Sequence, residues 1–315
     1  MKRFISIITA AVAALALLTG CNSKKVTKIG IVQLVEHPAL DASYQGFVDG
    51  LKDAGYMDGE NIKIDYQNAQ GEQANCVTIA QKLVSDRDDL ILAIATPAAQ
   101  AVANLTTEIP VLVTAVTDPE TAHLVNSNKL PGTNVTGTSD LTPCAAQMDL
   151  LKRLIPDAKK VAMLYSSSEE NSRFQVNLAK EACDKIGLSY VDATVSNTNE
   201  IQQVVQSLVG KVDAIYTPTD NMVASCMATV SMVANEAKIP VIVGEDGMVQ
   251  GGGLATYGIN YYELGKQTAV MAVDILKNGK KPAEMPIQYL NTCDFSYNKD
   301  TAEILGISIP VELLD

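Results

Sequence analysis

A chain of 315 residues, 47% hydrophobic and 19% charged, has the composition of a folded protein and exceeds what one compact core usually holds, so two domains are expected. Its 24 Lys and Arg against 36 Asp and Glu give a formal net charge of -12, which repels polyphosphates and argues against a nucleic-acid partner. Aromatic residues reach only 5%, with no Trp, and the composition excludes collagen, coiled coil and disorder.

The chain opens with Lys2 and Arg3, an uncharged run over residues 4–18, and then Thr19, Gly20 and Cys21. A basic end, an apolar stretch and small closing residues make residues 1–20 a secretory signal peptide. The stretch is slightly short for a membrane-spanning helix of about 20 residues. Its end, Leu18-Thr19-Gly20-Cys21, resembles the lipobox of bacterial lipoproteins. That resemblance implies cleavage before Cys21, lipidation of Cys21 and an extracytoplasmic protein anchored to the bacterial cell membrane. Residues 21–27 read as a tether, because Asn22-Ser23-Lys24-Lys25 is polar where a packed helix would continue. One acyl chain gives marginal attachment and two give a stable anchor. Loss of Lys2 and Arg3 leaves 22 basic against 36 acidic side chains, a charge of about -14.

From residue 28 onward, apolar runs alternate with helical patterns. Strands are expected at 29–34, 61–69, 90–96 and 109–116, with helices near 42–54, 72–85 and 98–105. The alternation restarts with strands at 159–165, 188–195, 212–218 and 239–246, and helices near 170–186, 199–209 and 222–237. Such grammar predicts parallel sheets covered on both faces. Corresponding punctuation recurs in the two halves: Thr96-Pro97 and Thr217-Pro218, Ala103-Asn104 and Ala234-Asn235, Ile109-Pro110-Val111 and Ile239-Pro240-Val241, Gly55 and Gly187. Two Rossmann-like lobes are the economical explanation; the alternative is convergent βα punctuation. A further strand (254–260), an amphipathic helix (261–276) and a tail from 286 suggest that the chain crosses between lobes near 135–138, 255–258 and 288–293, making a three-stranded hinge. The expected organisation is residues 28–137 plus 257–289 for one lobe and 138–256 plus 290–315 for the other. A hinge of this kind permits closure.

Open parallel sheets bind ligands beyond the carboxyl ends of their strands. Those ends are polar: Glu36-His37-Pro38, Thr96-Pro97-Ala98-Ala99-Gln100 and Thr117-Asp118-Pro119 in one half; residues 166–171 with Ser167, then Thr219-Asp220-Asn221 and Glu245-Asp246-Gly247 in the other. Thr96 is placed to cap a helix with Pro97 at its first position, leaving the N–H groups of Ala98 and Ala99 to face a carboxylate or simply to start a helix. Asp220 and Glu245 suit an ammonium group. Asp220 equally suits an N-cap, whereas no clear helix begins at Glu245. Ser139 and Asp140 lie at a crossing, where capping a helix at Pro143 competes with ligand contact. His37 is either a loop contact or a surface residue, and Tyr44, Tyr257, Tyr261 and Tyr262 stack on a planar ligand or belong to the core.

Enzyme chemistry finds little footing. With two histidines and no HExxH, GxSxG or P-loop, no metal and no cofactor are expected. Gly251-Gly252-Gly253 leads into a strand and reads as a turn. Ser166–Ser168 has no local base for nucleophilic catalysis. Five further cysteines lack CxxC spacing, so neither a zinc site nor a disulfide framework is written in them; Cys76, Cys183 and Cys226 are expected to be buried.

The stretches GIVQLVEHPALDASYQGFVDGLKDAGY, IDYQNAQG, LILAIATPAAQA, VTAVTDP, NVTGTSD, KVDAIYTPTDN, NEAKIPVIVGEDGMV and ATYGINYYELGKQTA resemble the substrate-binding lipoproteins of ABC importers, in the family associated with tryptophan and other aromatic amino acids. The resemblance spans nearly the whole mature chain. It implies a type I periplasmic-binding fold, a monomer without catalytic activity, and delivery of a small amino acid to a permease with its ATPase. It implies that Glu36, Thr96, Thr117, Ser139, Asp140, Asp220, Asn221 and Glu245 line the cleft, with Pro97, Ala98, Ala99 and Ser167 beside them from the strand-end reading. Two rival functions fit less of the sequence: a receptor presenting its closed form to a membrane sensor, and a secreted hydrolase of a small polar substrate.

Overall fold

The computed structural model describes residues 26–314; the expected signal peptide, residues 1–20, and the expected lipidation site Cys21 lie outside them. The first run comprises β1 (Thr27–Gln33), α1 (Pro38–Asp53), β2 (Ile62–Asn68), α2 (Gln73–Ser85), β3 (Leu90–Ile94), α3 (Thr96–Ala103), β4 (Val111–Val116) and β5 (Val135–Ser139). The second comprises α4 (Cys144–Leu154), β6 (Lys160–Ser166), α5 (Glu170–Ile186), β7 (Ser189–Val195), α6 (Ile201–Ser207), β8 (Ala214–Thr217), α7 (Asn221–Ser225), α8 (Met227–Glu236), β9 (Val241–Val243), α9 (Asp246–Gln250) and β10 (Ala255–Gly258). The chain ends with α10 (Tyr261–Asn278), β11 (Gln288–Tyr289), β12 (Asp294–Tyr297) and α11 (Lys299–Leu305).

The strands form two six-stranded sheets, ordered β11-β5-β4-β3-β1-β2 and β12-β10-β9-β8-β6-β7. Every described pairing between these strands is parallel except that of β10 with β12. Every residue of β3 and β4 is buried, because helices cover both faces of the sheet. The internal repeat is physical. Asp89 Oδ2 accepts the Lys28 N–H at 2.9 Å, and Asp213 Oδ2 accepts those of Lys159 and Lys160 at 2.8 Å. Likewise the Pro110 carbonyl accepts the Ile91 N–H at 3.0 Å and the Pro240 carbonyl that of Ile215 at 2.9 Å. The repeated residues therefore do the same work at the same strands, which shared punctuation alone does not require.

Three segments connect the sheets: residues 140–143 after β5, 259–260 after β10, and 290–293 between β11 and β12. They are irregular chain, not strands. The first two lie just beyond the expected crossings, because β5 stays in the first sheet through Ser139 and β10 in the second through Gly258. The α10 helix then returns to the first lobe and packs on α1 backbone to backbone. A Cβ added to Gly46 would sit 2.0 Å from the Tyr262 carbonyl, and one on Gly265 2.1 Å from that of Ser43, so only glycine permits this crossing. The helix expected over 222–237 breaks at Cys226, whose φ of -118° and ψ of 17° interrupt the helical path. Cys226 is consequently half-buried, whereas Cys76 and Cys183 are buried.

Candidate functional site

The carboxyl ends of the two sheets face each other, and the lobes are closed over them. Gln175 Nε2, from α5, donates to Thr219 Oγ1 at 2.6 Å and across the cleft to Thr117 Oγ1 at 3.2 Å. The Thr117 and Thr219 hydroxyls are 3.4 Å apart. Gln100 Nε2 donates to Glu170 Oε2 at 2.8 Å, and His37 Nε2 lies 3.3 Å from Asn221 Oδ1. This seam separates two gaps. One, closed down until no water fits, is lined by Thr96, Asp118, Thr121, Ala122, Glu170, Asn171 and Phe174. The other, with a cavity volume of only ≈ 10 Å³, is lined by His37, Leu40, Asp140, Thr219, Asp220, Asn221, Ala224, Glu245 and Tyr261. Glu245 and Tyr261 also border a larger opening of ≈ 430 Å³ on the hinge side.

Four buried carboxyl groups surround this region: Glu169, Asp140, Glu245 and Asp220, exposed by 4%, 4%, 2% and 0%. Neither gap has a Lys or Arg in its lining. Burial opposes the charged form, and it raises Asp140 to about 6, Glu245 to about 7 and Glu169 to about 8, the last with help from Asp220. Asp220 is raised by burial too.

Their hydrogen bonds separate them. Asp220 caps α7, accepting the Val223 N–H at 2.8 Å, and also accepts the Ser166 N–H at 2.6 Å and the Ser172 hydroxyl at 2.7 Å. Glu169 accepts the N–H groups of Asn221 at 3.2 Å and Met222 at 2.9 Å, and the Asn221 amide at 2.5 Å. Glu245 accepts the N–H groups of Gly247 at 2.5 Å and Met248 at 2.8 Å. Asp140 receives the Tyr261 hydroxyl on Oδ2 at 2.8 Å, and the Thr117 hydroxyl and its own N–H lie near enough to favour its charged form, while its buried Oδ1 makes no hydrogen bond of full geometry among the described residues. Thr96 Oγ1, His37 Nδ1 and Asn171 Oδ1 are buried and unpartnered in the same way. Such atoms are costly unless a bound molecule satisfies them.

Local strain helps to present these groups. Ala95, the residue before α3, has φ of 81° and ψ of 152°, a conformation that stores strain in a residue with a Cβ. Ala115 has φ of 53°, and the β4–β5 register slips between Val113 and Val116. The slip carries the Thr117 carbonyl to Ser139 Oγ, which donates to it at 2.6 Å.

The sequence matches the family described as ABC transporter substrate binding protein over residues 28–315. The chain belongs to that family. It is 44% identical over 321 residues to the Tyrosine-binding protein of Clostridioides difficile, a match covering 97% of this chain and 93% of that one. Among solved structures it resembles an ABC domain from Streptococcus pneumonia in complex with L-Trp, with a TM-score of 0.88, 43% identity and coverage of 91% and 97%. It also resembles the ligand-free, open structure of a substrate-binding protein with adhesive properties from Clostridium difficile, with a TM-score of 0.70, 49% identity and coverage of 90% and 96%. The higher identity accompanies the lower structural agreement. The binding protein described here thus has the lobe arrangement of the complex more than that of the open form, as its cross-cleft hydrogen bonds require.

Within this binding protein, His37, Asp140, Asp220, Asn221 and Glu245 border one gap and Thr96 the other, with Thr117 in the seam between them. Several expectations change. Thr96 does not cap α3; Ala95 holds the cap position and Thr96 is the first helical residue, followed by Pro97. Ala99 donates its N–H to the Ala95 carbonyl at 3.0 Å, so it is not free for a ligand, whereas Thr96 and Ala98 precede the first intrahelical bond. A short helix does begin after Glu245, which caps it through both oxygens. Asp140 does not cap α4, whose cap position is Pro143, and Ser139 is spent on the Thr117 carbonyl. Glu36 and Ser167 are exposed and border neither gap. Within the polar stretch 166–171 it is Glu169 and Asn171, and not Ser167, that are buried at the cleft. The structure adds Gln175, whose available signal was a Gln on the buried face of the amphipathic α5.

Proposed function

We propose that this protein captures a small aromatic amino acid, Trp, Phe or Tyr, between its lobes, and presents the closed form to an ABC permease with its ATPase. The observation that carries this reading is the bare Asp140 Oδ1, buried at the hinge in a gap without a basic side chain in its lining. An ammonium group answers it with a charge-assisted hydrogen bond. The Thr96 hydroxyl and the first turn of α3 offer donors to the ligand carboxylate. A zwitterion reaching both gaps takes the place of the Thr117–Thr219 contact, which at 3.4 Å is too long to resist much. Leu40 and Ala224 give the ring an apolar wall, and burying such a ring contributes about 1.5–3 kcal/mol. The named ligands of the Clostridioides and Streptococcus relatives support the same class.

The ligand shifts the equilibrium between open and closed forms only by its greater affinity for the closed one. No catalytic step is involved, and the ligand is recovered unchanged. In this reading the mature protein is a monomer, extracytoplasmic and tethered to the membrane through lipidated Cys21. Calorimetric titration with the aromatic amino acids tests the ligand class; no heat and no thermal shift with any of them refutes it. Membrane release of a Cys21→Ala variant tests the anchor, and persistence in the membrane fraction contradicts it.

A further inference from the structure

We infer that His37 is a specificity-determining residue of this cleft, an acceptor that reads a hydrogen-bond donor on the ligand's ring and so favours Tyr and Trp over Phe. The inference rests on the aromatic amino-acid reading and goes beyond it, because it names the atom that divides one aromatic ligand from another.

Glu169 accepts the Met222 N–H on one oxygen, and on the other the backbone and amide N–H groups of Asn221. The 2.5 Å contact from Asn221 Nδ2 fixes which way that amide faces, because the same Glu169 oxygen already accepts the Asn221 backbone N–H and so meets the amide as an acceptor. Asn221 Oδ1 is therefore turned toward His37 Nε2, 3.3 Å away, and accepts from it. With the proton on Nε2, Nδ1 of a neutral ring carries only a lone pair. That nitrogen is buried and has no partner among the described residues. Burial also holds the imidazole neutral, with its pKa lowered to about 4, so the ring does not escape by taking up a second proton. His37 is 6% exposed and borders the same gap as Asp140, Leu40 and Ala224.

The gap is thus bordered by two residues that each carry a bare acceptor, of different character. The carboxylate oxygen of Asp140 suits the ammonium group shared by all amino acids. The neutral nitrogen of His37 is left for a neutral donor, which a phenol O–H or an indole N–H supplies and a phenyl ring does not. A ligand without that donor leaves Nδ1 buried and unpaired, a loss of about 10- to 100-fold in affinity.

The test is calorimetric titration of the full mature protein with Tyr, Trp, Phe and O-methyltyrosine, repeated on His37→Leu after circular dichroism confirms its fold. The expected result is binding of Tyr and Trp at least tenfold tighter than Phe, with O-methyltyrosine no better than Phe. In His37→Leu the Tyr-to-Phe affinity ratio falls to within threefold, because Tyr loses more than Phe. Equal affinity for Tyr and Phe in the unmodified protein overturns the inference and leaves the aromatic reading intact. So does a His37→Leu variant that loses Tyr and Phe alike, which places His37 on the shared amino-acid group. Failure of all four ligands to bind refutes the aromatic reading, and this inference with it. The comparison of ligands on the unmodified protein decides the matter even where the variant does not fold.

Discussion

The two lobes share one topology but treat the cleft differently. The second lobe brings three buried carboxyl groups to its face, and each is already engaged: Asp220 and Glu245 cap short helices, and Glu169 holds the start of α7. The first lobe brings no buried carboxylate to the cleft. It contributes instead the unpartnered Thr96 Oγ1 and His37 Nδ1, and the connecting segment adds the unpartnered Asp140 Oδ1. Charge alone therefore points to the wrong residues. A carboxylate that accepts two or three N–H groups is scaffold, and a ligand is sought by the atoms that fold and closure leave bare.

Substituting one acid from each class tests this contrast most severely. Asp140→Asn is expected to weaken aromatic amino-acid binding by about 100-fold, the loss of a charge-assisted hydrogen bond, with no fall in the thermal stability of the empty protein. Asp220→Ala is expected to do the reverse: it removes a helix cap and leaves the Ser166 N–H and the Ser172 hydroxyl unpaired, costing about 2 kcal/mol in chemical unfolding. Equal effects of the two variants on affinity would abolish the distinction.

A closure contact comes next. A Cβ on Gly247 would lie 2.9 Å from Glu245 Oε2 in its own lobe and, across the cleft, 3.1 Å from Pro38 Cβ and 3.3 Å from the Ala39 nitrogen. Gly247→Val is expected to hold the lobes apart, enlarging the radius of gyration by small-angle scattering and lowering affinity about 20-fold by the population arithmetic of a disfavoured closed state. An unchanged scattering profile with ligand would contradict it.

The raised carboxyl groups set opposite pH trends for binding and for stability. Asp140 in the folded, empty protein titrates at about 6, above the ordinary value of about 3.9. Its folded form therefore binds the proton more readily than the unfolded chain, and its destabilising burden, complete above pH 6, is relieved as pH falls through that value. Glu245, at about 7, behaves alike. As pH falls from 8 to about 6.5 the empty protein is thus expected to gain stability. Below that His37, held neutral with its pKa lowered to about 4, offsets part of the further gain, while ligand affinity falls by up to about tenfold per pH unit below 6 as the proton competes with the ammonium for Asp140. Parallel melting and titration series check both slopes. The smallest effect is expected from Thr96→Val, about fivefold in affinity, because a neutral hydrogen bond contributes about 1 kcal/mol.

Much of the fold is legible in the chain. Ile109-Pro110-Val111 and Ile239-Pro240-Val241 mark equivalent strands, and both prolines accept the same backbone contact in their lobes. The three crossings are legible to within a few residues, since apolar runs show where a strand lies but not which sheet receives its end. The site is less so. Glu245 reads as free because a five-residue helix leaves no periodic signal, and Thr96 reads as a cap because the strained φ of Ala95 has no sequence mark in an alanine. Glu36 and Ser167 have the right chemistry and strand-end position, yet their exposure follows from loop geometry. His37 is visible as a residue, but its bare Nδ1 depends on Asn221, 184 positions away.

The role of Asp140 as the anchor for an amino group is tested most directly by one paired measurement. The purified protein and its Asp140→Asn variant are titrated with Tyr and Trp by calorimetry at pH 7.5, with melting curves on both. Saturable binding by the parent and an affinity about 100-fold lower in a variant that melts no earlier is the predicted result. A variant that binds as tightly as the parent, or a parent that binds neither amino acid, contradicts it.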